Sequence, residues 1–326
     1  MLKYKYIIIS YGYDYYDYVY RQFDNSTYAT FSKEINFPFF PRKAYNLLVS
    51  RLKMSSFREW WTLLYVYYID KCIEKVASRN DHICIIMLAG GKNNDLLDYG
   101  LTELLRKKYK KIKIVYFIND LIDKTKQPVE LMKEKADLVI SFDPSDAKKY
   151  SILNHIIPYS NFDFNLEKEE YDVAFVGAAK DRLEELISIH RYLIDNGIKS
   201  YFQIINVPKE KQISIPGVVY SGFITYKENL QILSKSRCIV DIVQKNGTGN
   251  TIRVGEAIIM GKKLLTNNVH TPTNGVYDEK YMHVFTDCTD INLDFIRDPA
   301  SPNYTIKESM YPINLLYFIE ESLHNE

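Results

Sequence analysis

Cysteine is scarce in this chain. Cys72, Cys84, Cys238 and Cys288 form neither a CxxC pair nor a dense framework. A disulfide-built domain is thereby excluded, and the four read as free thiols in a reducing compartment. Histidine is equally thin. His82, His155, His190, His270, His283 and His324 are scattered, so no dedicated His/Cys metal site and no metal cofactor are expected. Long apolar runs are missing too: no stretch approaches 18 apolar residues, so no spanning helix is expected. The opening MLKYKYIIIS has only a brief apolar run before the polar YGYDYYDY, too short for a signal-peptide core. These absences fit a cytoplasmic protein and leave surface attachment open. Charge of one sign is also lacking. With 42 Lys+Arg against 41 Asp+Glu, a net charge of +1 supplies no basic field, and no nucleic-acid partner is expected.

What is present is ordinary in bulk. Hydrophobic content of 46% and charged content of 25% exclude disordered, collagen-like and coiled-coil classes. A length of 326 residues suits two domains. Tyrosine is the exception, with 28 against only 2 Trp, many of them clustered at Tyr11, Tyr13, Tyr15, Tyr16, Tyr18 and Tyr20. A coding bias explains this plainly. A sugar-stacking surface is the functional alternative, because a Tyr ring offers an apolar face with a polar tip.

Short apolar runs alternate with longer amphipathic stretches, the pattern of an α/β protein with parallel sheets. Strands are expected at Tyr6–Ser10, Ile83–Leu88, Ile112–Phe117 and Leu138–Ser141. Glu59–Ala77 reads as a helix with Val66, Ile69, Ile73 and Val76 along one face, and Asp95–Lys108 as a second, capped by its Asp. The polar NFDFNLEKEEY at 161–171 reads as a linker. A buried-strand run follows at Asp172–Gly177, then a helix over Arg182–Asn196 stopped by Gly197. Further strands are expected at Ser200–Ile205, Val218–Ser221, Cys238–Val243 and Lys263–Thr266. Helices are expected at Lys227–Ser234 and Thr251–Met260, and a last amphipathic segment at Lys307–Leu323. The expected fold is two Rossmann-like domains facing a cleft. Residues 1–165 form the first, 166–300 the second, and 301–326 a terminal helix able to cross back to the first. Ligands in such sheets sit beyond the carboxyl ends of strands.

The segment from Cys238 to Asn268 is the most informative. It parses as strand, glycine-containing loop, helix, glycine stop and strand. Gly247 and Gly249 allow close backbone approach, and the N–H groups around Asn250–Ile252 make an anion site at a helix N-terminus. Thr248 and Thr251 add hydroxyls, and Arg253 adds a cation in the first turn, a set that suits a diphosphate. Glu256, three residues on, shares a helical face with Arg253 and is placed to accept from ribose hydroxyls. The same residues also fit an ordinary Arg–Glu surface pair after an ordinary turn. Other motifs fit less well. Ile252 stands where a dinucleotide fingerprint wants a third Gly or Ala, which argues against NAD, and GxxxxGK[ST], GxSxG and HExxH are all missing.

The stretch Gly247-Thr-Gly-Asn-Thr-Ile-Arg253, then Glu256-Ala-Ile-Ile-Met-Gly261, resembles the donor-binding motif of bacterial GT-B glycosyltransferases. The resemblance is to the group 1-like enzymes of capsular, exopolysaccharide and lipopolysaccharide assembly. Asp172-Val-Ala-Phe-Val-Gly177 with Lys180 and Arg182 resembles the first strand and loop of their C-terminal domain. Tyr220-Ser-Gly-Phe-Ile-Thr-Tyr226 and Ser234-Lys-Ser-Arg-Cys238 resemble their base-side loop and the helix after it. Val139–Tyr150 resembles the end of their N-terminal domain. One departure stands out: where the group often has a first glutamate, this chain has Thr248. A sugar contact from that position does not carry over, which leaves donor sugar and stereochemistry open.

The resemblance implies transfer of a sugar from a nucleoside-diphosphate donor, a UDP-sugar first among them, to a glycan or lipid-linked acceptor. It implies that no metal is required, because the helix dipole and basic side chains stabilise the leaving diphosphate. Donor-binding candidates are then Gly177, Lys180, Arg182, Phe223, Tyr226, Gly247, Thr248, Gly249, Asn250, Thr251, Arg253 and Glu256, with Arg253 also catalytic. Lys180 and Arg182 fit a solvated loop equally, and Phe223 fits plain core. In the first domain Asp120, beyond Ile114–Ile118, is the candidate base for the acceptor hydroxyl, or with Asn119 merely caps the next helix. His155 is a remote alternative base, or a packing residue. The loop Ala89-Gly-Gly-Lys-Asn-Asn94 is either a second approach to the donor or a tight turn. Arg51, Lys53 and Arg58, interleaved with Leu52, Met54, Phe57, Trp60 and Trp61, make a peripheral patch for the inner membrane face, or a core helix with a basic outer side. Two competing readings share the fold: a sugar-nucleotide epimerase, and a non-catalytic nucleotide-sugar-binding partner of another transferase.

Overall fold

The computed structural model describes residues 2–10, 12–33, 55–90, 93–94, 97–162 and 167–325. The chain divides into two compact units, one of Met1–His155 with Pro312–Glu326, the other of Ile156–Tyr311.

The first unit is built on β1 (Lys5–Ser10), β2 (Ala29–Lys33), β3 (Ile83–Leu88), β4 (Ile112–Ile118), β5 (Leu138–Ser141) and β6 (Leu153–Asn154). These form one parallel sheet in the order β2-β1-β3-β4-β5-β6. All six residues of β3 are buried, which is why its sequence is a continuous apolar run with no polar alternation. Around the sheet run α1 (Tyr16–Val19), α2 (Ser55–Ile73), α3 (Leu101–Lys108), α4 (Ile122–Thr125), α5 (Val129–Lys135) and α6 (Pro144–Tyr150). Asp143 starts α6 by accepting from the Asp146 N–H at 3.0 Å, with Pro144 at the first helical position, where its missing N–H costs nothing.

In the second unit β7 (Tyr171–Ala178), β8 (Ser200–Ile205), β9 (Val218–Ser221), β10 (Ser236–Asp241), β11 (Lys263–Thr266) and β12 (Met282–Val284) make another parallel sheet. Its order is β12-β11-β10-β7-β8-β9. The helices are α7 (Leu183–Asp195), α8 (Tyr226–Ser234), α9 (Ile252–Met260) and α10 (Leu293–Arg297). Gly197 (φ 77°) and Gly261 (φ 61°) follow α7 and α9 in the left-handed conformation, the stops expected from the sequence. A capping box between Thr225 and Glu228 opens α8.

Sheet order sets where each unit can bind. From β1 the chain goes to β2 on one side and then returns to lay β3 on the other. From β7 it runs out through β8 and β9 before β10 returns beside β7. Loops leaving β1 and β3, and loops leaving β7 and β10, therefore diverge and open a crevice at each of these points.

Several boundaries differ from expectation. The helix expected from Asp95 starts only at Leu101, after a short turn at Leu97–Tyr99; Asp95 itself lies outside the described residues. The terminal segment is two elements, a turn at Lys307–Met310 and then α11 (Pro312–His324), because Pro312 can only begin a helix here. That helix belongs to the first unit, where Glu320 accepts from the Tyr6 hydroxyl at 3.2 Å. Strands β2, β6 and β12 were not expected. The basic patch is also redrawn. Arg58 hydrogen-bonds the Tyr99 hydroxyl and lies 4.9 Å over its ring, and Trp61 is core, while Trp60 stays 47% exposed. Arg51, Leu52, Lys53 and Met54 lie outside the described residues. Among the described residues no helix is long and apolar enough to cross a membrane.

Candidate functional site

At the crevice of the second unit the ends of β7 and β10 and the start of α9 come together around two arginines. Thr251 is the N-cap of α9. Its Oγ1 accepts from the Arg253 N–H at 3.1 Å and donates to Asp241 Oδ1 at 2.8 Å. Asp241 ends β10, is buried, and accepts at its other oxygen from the Thr266 hydroxyl at 3.0 Å. Burial raises its carboxyl above the ordinary value, against the hydrogen bond from Thr251 and the nearby Arg182 charge. The Thr251 hydroxyl proton is thus spent inside the protein. Thr251 is in this way the anchor that sets the first turn of α9.

Arg253 points back from that turn. Its guanidinium hydrogen-bonds Glu256 and the carbonyl of Val176, the last buried residue of β7. Burial would lower its pKa, but the Glu256 carboxylate outweighs this and the net shift is upward, so it is a permanent cation. A side chain at Gly177 would place its Cβ 3.6 Å from the same guanidinium and 3.1 Å from the Phe175 ring. Arg182, in the turn before α7, donates to the carbonyls of Ala178 at 3.1 Å and Ile242, while its Nε is buried with no hydrogen-bond partner. Burial lowers its pKa from the ordinary value, with Asp241 opposing. Two guanidiniums are thereby fixed at the ends of β7 and β10. Lys180, two residues before Arg182 and in the left-handed conformation (φ 47°), lies on the wall of a groove of about 1080 Å³ that also takes in Asn206, Arg191 and Lys211.

Glu256 is completely buried. Its Oε1 accepts from the Tyr226 hydroxyl at 2.7 Å and from Asn229 Nδ2 at 3.1 Å; Oε2 is held by Arg253. Tyr159 lies 2.5 Å from the Tyr226 oxygen, and since the Tyr226 proton goes to Glu256, Tyr159 is the donor of that pair. Two expectations change. Tyr226 is not on the base-side loop surface, because its hydroxyl has an interior partner. Glu256 meets no solvent, and it is not the exposed Arg–Glu surface pair that the sequence also allowed. Phe223, in contrast, is 80% exposed, which removes the reading of it as core.

The loop of Gly247, Thr248, Gly249 and Asn250 connects β10 to α9. Its left-handed residue is Asn246 (φ 69°) and not a glycine, and the Gly247 N–H donates to Gln244 O at 2.9 Å. Asn250 is buried, and its Nδ2 has no hydrogen-bond partner.

In the first unit Asp120 follows β4 and its Oδ1 accepts from the Leu121 N–H at 3.0 Å. It does not cap α4: the Ile122 N–H is taken by Asp146 at 2.9 Å. Asn119 donates to the Tyr16 hydroxyl at 2.6 Å. His155 packs its ring 5.0 Å from that of Phe318. Of the loop after β3, Gly91 and Lys92 lie outside the described residues. Asn93 there is a hub that sequence reading missed. Its Nδ2 donates to Leu88 O at 2.8 Å and Ile9 O at 3.1 Å, and it accepts from Tyr65 and Tyr116. It ties the ends of β1 and β3 together at the crevice of this sheet. Among the described residues no group of three or more His, Cys, Asp or Glu could hold a metal ion.

No protein-family model and no curated protein matches this chain. Solved structures do. An α-glucosyltransferase in complex with UDP-glucose and DNA containing an abasic site superposes with a TM-score of 0.53 at 11% identity, covering 98% of this chain and 91% of that one. UDP-GlcNAc 2-epimerase from Neisseria meningitidis gives 0.48 at 12% identity, covering 98% and 100%. TarM from S. aureus gives 0.47 at 12% identity; 81% of this chain is covered, and the chain spans 57% of TarM. The architecture of two parallel six-stranded α/β units is that of the GT-B fold, shared with the α-glucosyltransferase.

Proposed function

We propose that this protein is a glycosyltransferase that takes its sugar from a nucleoside-diphosphate donor, a UDP-sugar first among the candidates. The observation that carries this reading is the pair of half-buried guanidiniums, Arg182 and Arg253, held at the diverging ends of β7 and β10 beside the N-terminus of α9. Cations and a helix dipole at a strand-order reversal are the equipment for a diphosphate.

In the reaction the bond from the anomeric carbon to the diphosphate oxygen breaks while an acceptor hydroxyl oxygen bonds to that carbon. Negative charge collects on the leaving diphosphate, where Arg253, Arg182, Lys180 and Asn250 would stabilise it, so no metal is required. The acceptor hydroxyl proton passes to a carboxylate, for which Asp120 is the candidate. The resting Arg253–Glu256 pair then has a role. Glu256 Oε1 is anchored by two neutral donors, whereas Oε2 has Arg253. An arriving diphosphate competes for Arg253, and the freed Oε2 becomes available to a ribose hydroxyl.

The acceptor would be a glycan or a lipid-linked glycan of surface polysaccharide assembly, with the first unit as acceptor side and the enzyme cytoplasmic, in peripheral contact with the inner membrane face. A second reading is supported by Thr248, which stands where the resembled motif carries a glutamate: a nucleotide-sugar-binding partner without activity of its own. The test is thermal shift against UDP, GDP, dTDP, CMP, ADP and NAD, with and without magnesium, followed by donor-hydrolysis assays. A ligand at a hundred times its Kd stabilises by about 2.7 kcal/mol. A selective, metal-independent shift with hydrolysis supports the transferase. Binding with neither hydrolysis nor transfer supports the partner, and no shift with any sugar-carrier nucleotide overturns both.

A further inference from the structure

The loop that leads into α9 is gripped by two asparagines from the segment after β11. Asn268 Nδ2 donates to the carbonyls of Gly249 at 3.1 Å and Thr248 at 3.3 Å. Asn274 Nδ2 donates to Thr248 O at 2.7 Å and to Asn250 Oδ1 at 3.3 Å. Asn268 is itself fixed: it is buried, its N–H goes to Thr266 Oγ1 at 3.1 Å, and its Oδ1 accepts from the His270 N–H at 3.0 Å.

The bond from Asn274 to Asn250 has a directional consequence. A side-chain amide carries its acceptor on one side and its donors on the other. With Oδ1 turned to Asn274, the Nδ2 of Asn250 faces away from it. That Nδ2 is buried and lacks a hydrogen-bond partner in a residue only 3% exposed. A buried donor left unmade is costly and needs a reason. Asn250 immediately precedes the N-cap of a nine-residue helix, where backbone N–H groups already favour an anion. The orphan donor and the helix terminus are independent observations, and both point to an oxygen-rich anionic ligand.

We propose that Asn274 is a positioning residue for donor recognition, acting through Asn250 by holding its amide with Nδ2 toward an oxygen of the bound diphosphate. This rests on the donor-site reading above. Asn268 supports the same geometry by fixing the two preceding carbonyls. Nothing in the resemblance pointed to Asn274, which lies beyond the Val243–Asn268 segment, and Asn268 closes that segment without any role assigned to it.

The experiment is a double-mutant cycle read by calorimetric titration of the full chain with UDP, with GDP, dTDP, CDP and ADP in parallel. Asn250→Ala and Asn274→Ala should each weaken binding of the preferred nucleotide by about tenfold, the loss of one hydrogen bond to a charged group. The double variant should bind no more weakly than Asn250→Ala alone, since Asn274 has nothing left to orient. A merely structural role would give losses that add. Additive losses, or full affinity in Asn274→Ala, overturn the role of Asn274 and leave the donor site standing. Wild-type protein that binds none of the five overturns both. Should Asn274→Ala fail to fold, Asn274→Ser carries the same cycle, because its short hydroxyl cannot span to Asn250.

Discussion

The Tyr226 hydroxyl donates to Glu256 Oε1 at 2.7 Å inside the second unit, where neither group meets solvent. A carboxylate placed there is a structural element before it is a ligand. It gathers Tyr226, Asn229 and Arg253 behind the helix whose N-terminus faces the crevice. The site is therefore supported from behind by a polar network whose members are distant in sequence.

Removing that carboxylate should destabilise the protein. Glu256→Ala leaves a half-buried cation and two buried donors without their acceptor, a change that costs about 3–5 kcal/mol. A surface carboxylate that only accepts from ribose hydroxyls would leave the fold intact and weaken nucleotide binding alone. Burial changes that expectation to a lower Tm, by on the order of 10 °C, together with the binding loss. Tyr226→Phe, which keeps the ring but removes a donor to Glu256 and the acceptor of the Tyr159 hydroxyl, should cost about 1–3 kcal/mol. Calorimetric melting checks both. Equal melting temperatures for wild type and Glu256→Ala would show that the network carries no stability.

Gly255 should resist even the smallest side chain. A Cβ there would lie 2.8 Å from Tyr159 Cδ2 and 3.1 Å from its Cβ, and Tyr159 is 1% exposed with its hydroxyl committed to Tyr226. The ring has no direction in which to retreat. Gly255→Ala is expected to destabilise by about 1–3 kcal/mol through overpacking, although alanine is the better helix former. A stabilised Gly255→Ala protein in denaturant titration would mean that Tyr159 moves freely.

The central strands of both sheets were legible because buried parallel strands are written as largely apolar runs, as in Ile83–Leu88 and the DVAFVG run that opens the second sheet. Of the four edge strands only Val218–Ser221 was legible, and β2, β6 and β12 were not. Ala29–Lys33 is half-buried and carries Thr, Ser and Lys, and Met282–Val284 has only three residues. At the site, Thr251, Arg253 and Glu256 were legible as a group because a cap, its first turn and the i,i+3 neighbour follow one another at a helix start. Their partners were not. Tyr159 and Val176 lie far away in the sequence, and no spacing rule relates them to residue 253 or 256. The Asn-Asn after β11 was part of the strand's end in the sequence, with no sign that one amide would reach back to Gly249.

Acid should weaken the second unit through His190. The residue is buried in α7, with Nε2 2.8 Å from Pro216 O and Nδ1 2.9 Å from Ser200 Oγ. A neutral ring satisfies this pair by donating from Nε2 and accepting at Nδ1. Desolvation lowers its pKa below the ordinary 6.5. Above that value neither the folded nor the unfolded imidazole is charged, and His190 makes stability independent of pH. Below it the unfolded chain takes up the proton first, so stability falls as pH falls toward the folded value. His190→Gln should flatten this part of the stability profile below pH 6.5. An unchanged slope would assign the acid sensitivity elsewhere.

Arg253 separates charge from geometry. Its guanidinium spans from Val176 O to Glu256, which a lysine ammonium cannot do from one point. Arg253→Lys keeps a cation for the leaving diphosphate but loses the tie to β7, so the charge is present and misplaced. Loss of a charge-assisted contact is worth about 1.5–3 kcal/mol, or roughly ten- to a hundredfold in rate. With donor hydrolysis as the assay, Arg253→Lys should lose about tenfold in kcat/KM and Arg253→Ala a hundredfold or more. Arg253→Ala should also melt lower, because Glu256 is then a buried charge without its cation. If both variants kept wild-type kcat/KM while Arg253→Ala lost stability, Arg253 would be a scaffold for Glu256, and the leaving group would have to be stabilised by Arg182, Lys180, Asn250 and the α9 N-terminus without it.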